Sequence, residues 1–503
     1  MTDSAAYATL QDRFRRRALI GDALGILAWD QATTMPAGSA DGRAEQVATL
    51  SVMQHELVVG PEVSDEIARA RQDFAAADAD DWHQGNLREM ERAYQLAAAV
   101  PGDLVAAAAR ANAVCELQWR SARAENDYAS LLPALREVLN LVRQTAAARA
   151  EALSLAPYDA LLEEYEAGTR MDRLDPLFDR LASFLPEFLL QVLERQDARP
   201  TPVRPEGPFA IADQRALAAE LMAALGFDFE RGRLDISHHP FCGGATGDVR
   251  ITTRYNEDDF TESLMGVLHE TGHALYESGL PRDWQFQPVG NALGMAIHES
   301  QSLLIEMQVS RSRPFLSHAL PRMQSAFAGT GAAWDVDNIY RLYTRVEPGF
   351  IRVDADEVTY PLHIILRYRL EQAMLSGDLD LADLPGAWND AMGDLLGITP
   401  PDDSLGCLQD IHWPSGSFGY FPTYTLGAMA AAQFYGAARR DMPELEENIA
   451  AGDLAPLVSW LRTHVHGQGS CHTADELLTR ATGKPLNPEI FLEHLKARYL
   501  DDS

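Results

Sequence analysis

"LMGVLHETGHALYESG", Leu264 to Gly279, puts two histidines and a glutamate into one apolar run. The stretch leading into it, "DDFTESLMGVLHE", has helical periodicity, and Asp258, Asp259 or Thr261 can cap its start. On a helix, His269 and His273 lie one turn apart on the same face. Burying two imidazoles and a carboxylate without a partner is costly. This spacing brings one nitrogen of each ring within reach of a single Zn²⁺, at about 2.0–2.1 Å. Glu270, one position on, points beside such an ion at the water in its open position. That is the HExxH arrangement, in which the glutamate is the general base.

A catalytic zinc takes a third protein ligand and keeps one position open. Tyr276 and Gly279 stand where the longer HExxHxxGxxH pattern needs glycine and histidine, so a third histidine in that register is excluded. Glu299 in "HESQS" is the next candidate, and His298 and Glu306 are its rivals. Glu306 lies two turns on, on the face of Glu299. Glu299 is preferred, with His298 in support, because the nearer residue suits a short return loop. A di-iron bundle needs two Glu-x-x-His pairs, and Glu270-x-x-His273 is the only such pair in the chain. The His464-x-His466 pair has no carboxylate in register nearby and reads as structural.

Outward from this centre, residues 1–230 read as successive amphipathic helices rich in Ala, Leu, Glu and Arg. "YQLAAAVPGDLVAAAARANAVCELQW" is typical, with two helical patterns broken at Pro101-Gly102. Composition changes near Arg231. In "DVRITTRY", Val249, Ile251, Thr253 and Tyr255 alternate with Arg250, Thr252 and Arg254, which is strand periodicity behind a Gly-rich turn. A hairpin beside the metal site is expected. "NALGMAIHESQSLLIEMQVSRS" and "TYPLHIILRYRLEQAML" read as further helices, the second with Pro361 in its first turn. The fold class is therefore mainly α: a single large helical domain over 1–503, with 1–230 a largely helical lobe and 231–503 carrying the motifs.

The chain has 503 residues, 46% of them apolar, which allows a large core. Its 42 basic and 74 acidic residues give a net charge of −32. That argues against nucleic acid and anionic membrane as partners, since both need a basic footprint. Cys115, Cys242, Cys407 and Cys471 are widely spaced and read as reduced thiols. "RFRRRALIGDALGILAW" imitates a signal peptide, but Asp22 interrupts it, and Leu10, Phe14, Leu24 and Leu27 fit a helix instead. No run is long enough to span a bilayer, and a cytoplasmic location is expected.

The motifs, in order, resemble the carboxypeptidase Taq family of metallocarboxypeptidases over almost the whole chain. They are "LAWDQATTMP" (27–36), "HPF" (239–241), "DVRIT" (248–252), "HETGH", "HESQS", "IRVDAD" (351–356), "GCLQDIHW" (406–413) and "FGYFPTYTLG" (418–427). Pro361 departs from the asparagine usual in the family, a difference at a helix start. The resemblance implies a mostly helical fold with a substrate groove between two lobes, and a homodimer. It implies release of single C-terminal residues from peptides with a free C-terminus, with broad specificity. It supports His269, His273 and Glu299 as ligands of zinc, or of cobalt, and Glu270 as the base.

Resemblance to related helical zinc peptidases suggests Tyr424 in "FPTY" and His412 in "QDIHW" as donors to the oxyanion of the reaction. For the substrate's α-carboxylate, the planar fork of an arginine is best suited. Arg352 is the first choice and Arg250 the second. The competing reading for each is a local salt bridge, Arg352 with Asp354 or Asp356 and Arg250 with Asp248. His239 is placed at the pocket wall. The 248–255 strand is the candidate for pairing with the substrate backbone. Asp410 or another acid is expected to orient a ligand histidine. The alternatives are a metallo-oligopeptidase that cuts internally and a non-catalytic metal-binding scaffold.

Overall fold

The helix Phe260–Gly279 starts where Asp259 turns its side chain to accept from Thr261 N, at 2.8 Å. Of the three expected caps, Asp259 is the one used. The helix is buried nearly all round, so it is a core element and not a surface one. Val267 and Ala274 pack on Leu234, Val249 and Ile251 of a sheet, while Leu264, Leu268, Leu275 and Tyr276 enter a large helical core. Each of the valine and leucine side chains among them stabilises the fold by about 1.5–3 kcal/mol when buried.

The computed structural model describes residues 4–77 and 79–501. Among them are twenty α-helices and three strands: β1 (Gly232–Ile236), β2 (Phe241–Ala245) and β3 (Asp248–Thr253). The expected hairpin is present, with β2 antiparallel to β3 and Cys242 opposite Ile251. The sheet also holds β1, parallel to β3, in the order β1-β3-β2. The alternation in "DVRITTRY" holds only at first: Val249 and Ile251 are buried against the helix with Arg250 half-buried between them, but Thr252 is buried as well. The strand ends at Thr253, however, and Tyr255 lies outside it. Because β3 is flanked on both sides, it has no free edge. The expectation that the 248–255 strand pairs with a substrate is corrected, since only β1 and β2 are edges.

Residues 1–230 do not form one body. The first helices build a small core around Leu10, Phe14, Ile67 and Met90. Helices Gly102–Glu125, Tyr128–Leu153 and Met171–Asp197 share a larger core with Tyr360–Ser376 and Pro488–Tyr499. A second large core collects Phe260–Gly279, Arg313–Phe327 and the helices Leu445–Ala451, Ala455–His464 and Ala474–Thr482. Helices Met295–Leu303 and Pro422–Asp441 run along the seam. Ala296 and Met429 face the first of these large cores, while Ile297 and Phe434 face the second. The fold is thus mainly α with one small sheet, in a single domain. Among the described residues, no helix is long and apolar enough to cross a membrane.

Candidate metal centre

His269, His273 and Glu299 come together. One ligand atom from each lies within 4.8 Å of the others, and among the described residues no other such metal-capable group exists. Glu299 Oε2 is 3.5 Å from His273 Nε2 and 4.0 Å from His269 Nε2. The two ligand helices approach closely because position 272 is glycine: a Cβ there would run into the backbone of Gln301 and Ser302.

The opposite nitrogens of both rings are already engaged, and this tests whether the residues fit an ion. His269 Nδ1–H donates to Glu306 Oε2 at 2.9 Å. His273 Nδ1 is 2.7 Å from His298 Nδ1, and His298 Nε2 is 2.8 Å from Glu277 Oε1. A proton donated from His298 to Glu277 leaves His298 Nδ1 to accept from His273. With each ring neutral, as a metal ion requires, both then turn an Nε2 lone pair toward Glu299. The donor set suits a divalent ion such as Zn²⁺. The two rivals of Glu299 therefore hold the ligand rings. The acid on a ligand histidine is Glu306, and Asp410 is elsewhere. Glu306 reaches His269 because Leu304–Ser310 continues the helix as a π turn, and Arg311 fixes its other oxygen at 2.5 Å.

Burial opposes charge on His269, but its hydrogen bond to Glu306 and the Glu299 and Glu306 charges outweigh it and push the ring up to about 10. Burial, with the neighbouring His298, depresses His273 to about 4. Burial would raise Glu299, yet the histidines win and hold it at about 2. Glu270 is different. Burial pushes its carboxyl up to about 7, a value suited to moving a proton near neutrality.

Tyr424 and His412 also meet: His412 Nε2 is 3.2 Å from the Tyr424 hydroxyl. Tyr360, Tyr420 and Tyr424 all feel the charge of Glu299, and the Tyr424 ring meets those of Tyr360 and Tyr420 at 6.1 and 5.2 Å. Burial holds Tyr424 at about 12 and depresses His412 to about 4, so both are neutral donors at pH 7. Three residues after Tyr424, a Cβ on Gly427 would stand 2.8 Å from the Glu299 Cβ and Cγ. A methyl there displaces the third ligand at an overpacking cost of about 1–3 kcal/mol. Alanine also favours the helix by about 1 kcal/mol. We expect Gly427→Ala to weaken metal binding about tenfold, read by competition with a chelator, while the metal-free protein melts close to the parent.

Arg352 is buried and does not pair with Asp354 or Asp356. Its Nε and Nη2 donate to Asp410 Oδ1 at 3.1 and 2.9 Å, and Nη1 donates to the Tyr360 hydroxyl at 3.1 Å. Arg367 donates to the other oxygen of Asp410 at 2.6 Å. One carboxylate thus faces two guanidinium groups, so the pair leaves an excess positive charge. Arg250 does take the local salt bridge with Asp248, at 2.6 Å. Trp29 of the first helix, Ala5–Thr33, meets the Arg250 guanidinium 4.4 Å from its ring and that of Arg233 at 4.9 Å. His239 is exposed between β1 and β2, facing the charges of Arg254, Arg123 and Arg120, and is not drawn into the metal cluster. His466 is fully buried, 3.0 Å from Gln301 Oε1, and His464 lies on Trp460, so that pair is structural. All four cysteines are free thiols.

The loop carrying His412 is anchored by Glu371, which accepts from Tyr158, Trp413 and Gly419 N at 2.6, 2.9 and 3.0 Å. The carboxylate Tyr158 touches is nowhere near it in sequence, and no spacing signal marks it.

A family model, Carboxypeptidase Taq (M32) metallopeptidase, matches residues 9–499. The chain belongs to the carboxypeptidase Taq family. It is a metallocarboxypeptidase, a hydrolase of a metal-dependent class. It is 39% identical to thermostable carboxypeptidase 1 of Thermus thermophilus, over 99% of each chain, and 32% identical to carboxypeptidase 1 of Bacillus subtilis, over 97% of each. The solved structure of Trypanosoma cruzi metallocarboxypeptidase 1 superposes with a TM-score of 0.97 at 40% identity, covering 99% of this chain and all of that one.

Proposed function

We propose that the protein removes single C-terminal residues from peptides with a free carboxyl end, with broad specificity, using zinc or cobalt held by His269, His273 and Glu299. The observation that carries this is the convergence of three ligand atoms beside the buried Glu270. A divalent ion in that position supplies an ionisable water near neutral pH and polarises the scissile carbonyl. Glu270 takes the proton of the attacking water and hands it to the leaving amine. Tyr424 and His412 donate to the developing oxyanion. Their mutual hydrogen bond and their neutrality support that role.

Arg352 anchors the α-carboxylate in this reading. The excess positive charge it shares with Arg367 over Asp410 favours an anion there, and Tyr360 relays its Nη1–H. Arg250, closed off by Asp248 and Trp29, ranks behind it, and His239 contributes only at the rim. The edges left for a peptide backbone are β1 and β2. A homodimer and a cytoplasmic location complete the proposal on the strength of family likeness.

An unblocked peptide and its C-terminal amide separate this reading from internal cleavage. The free-acid peptide is expected to be shortened stepwise, and its amide at least about tenfold more slowly, because one charge-assisted contact is lost. Equal rates on both, followed by mass spectrometry, would mean an endopeptidase.

A further inference from the structure

The helix Pro157–Tyr165 belongs to no motif of the metal site, yet its end touches both halves of that site. Glu166 is wholly buried, and its Oε2 accepts from Ala296 N at 2.7 Å. Ala296 is in the first turn of Met295–Leu303, the helix that presents His298 and Glu299. The fit admits no side chain: Gly294 turns with φ +45°, and a Cβ there would collide with the Glu166 carboxyl.

The preceding residue faces the other way. The Tyr165 ring meets Tyr420 edge to face at 5.0 Å. Tyr420 in turn packs edge to face on Tyr424 at 5.2 Å. Gly419 lies against the backbone of Leu161 and Leu162, at 3.1 and 3.2 Å for an added Cβ. One dipeptide thus contacts the start of the helix bearing Glu299 and the segment that carries Tyr420 into the helix of Tyr424.

We propose that Tyr165 and Glu166 are a positioning pair that holds Glu299 and the Tyr420–Tyr424 pair in register with each other. This rests on the metallocarboxypeptidase reading for its rate effects, but not for its effects on metal binding. Glu166 acts as a hydrogen-bond acceptor at a fixed distance, and glutamine can keep that bond. Alanine removes the acceptor, and aspartate withdraws it by one methylene.

The test uses the full-length protein stripped of metal and titrated with Co²⁺ alone. Glu166→Ala and Glu166→Asp are expected to raise the Co²⁺ dissociation constant about tenfold or more, the scale of losses for groups behind a metal ligand, and to change the visible Co²⁺ bands. Glu166→Gln is expected to restore both to within about threefold of the parent. Tyr165→Ala is expected to lower kcat roughly tenfold or more through misplaced donors, with KM and Co²⁺ affinity nearly unchanged, and Tyr165→Phe to recover most of the rate. Thermal melting of each metal-free variant identifies any that fail to fold. If folded Glu166→Ala and Glu166→Asp bind Co²⁺ with the parent's affinity and spectrum, the proposal falls. If the parent itself releases no C-terminal residue, the activity reading falls, and the Co²⁺ measurements still decide the role of Glu166.

Discussion

Glu270→Gln is expected to keep its divalent ion and to lose about a thousandfold in kcat/KM on an unblocked peptide. General base catalysis contributes about 10²–10⁴-fold, and a thousandfold is about 4 kcal/mol of barrier. The amide has nearly the shape of the carboxylate, so packing against the buried surroundings is kept. What disappears is the basicity that burial tunes to about 7. The ion should stay, because Glu270 is not among the three converging ligand atoms. Metal analysis and peptide turnover on the same sample check both halves. Hydrolysis at the parental rate would remove Glu270 from the mechanism.

Glu299→Ala is expected to raise the metal dissociation constant by more than about 100-fold. Groups that merely orient a ligand cost about 10–100-fold when removed, and a ligand should exceed them. Among the described residues, Glu299 is also the one carboxylate that meets both Nε2 atoms, at 3.5 and 4.0 Å. Glu306→Gln provides the comparison. It disturbs the Nδ1 partner of His269 and is expected to fall in the lower range. Should Glu306→Gln release the ion more completely than Glu299→Ala, the roles of the two carboxylates are reversed. Equilibrium dialysis on the two variants side by side gives the ranking.

The centre was legible in the sequence because its parts are local. A spacing of four residues on one helix needs no tertiary knowledge, and Glu299 lies just beyond a short return. The helix cap at Asp259 and the buried face of β3 followed from the same short-range rules. What remained hidden depends on contacts between distant segments or on broken periodicity. Regular α-helical spacing puts Glu306 on the face of Glu299, so only the π turn shows that it reaches the other nitrogen of His269. The partner of Arg352 proved to be Asp410, brought in by a loop, where sequence proximity favoured Asp354 and Asp356. β1 joins the sheet by a parallel pairing that a hairpin signal does not carry. Glu277 and Tyr360 carried no motif of their own.

The contact of Trp29 with Arg233 and Arg250 has an implication for biosynthesis. Both arginines are encoded more than two hundred residues after the indole they meet. At about 5–20 residues per second, the ribosome needs roughly 10–40 s to deliver them. Over that interval the opening helix can settle on the helices that follow it, through Leu10 and Phe14, but its C-terminal indole has no seat. The order of synthesis thus makes the clasp between the chain's beginning and its small sheet a late event, completed only after the ligand-bearing half has begun to emerge.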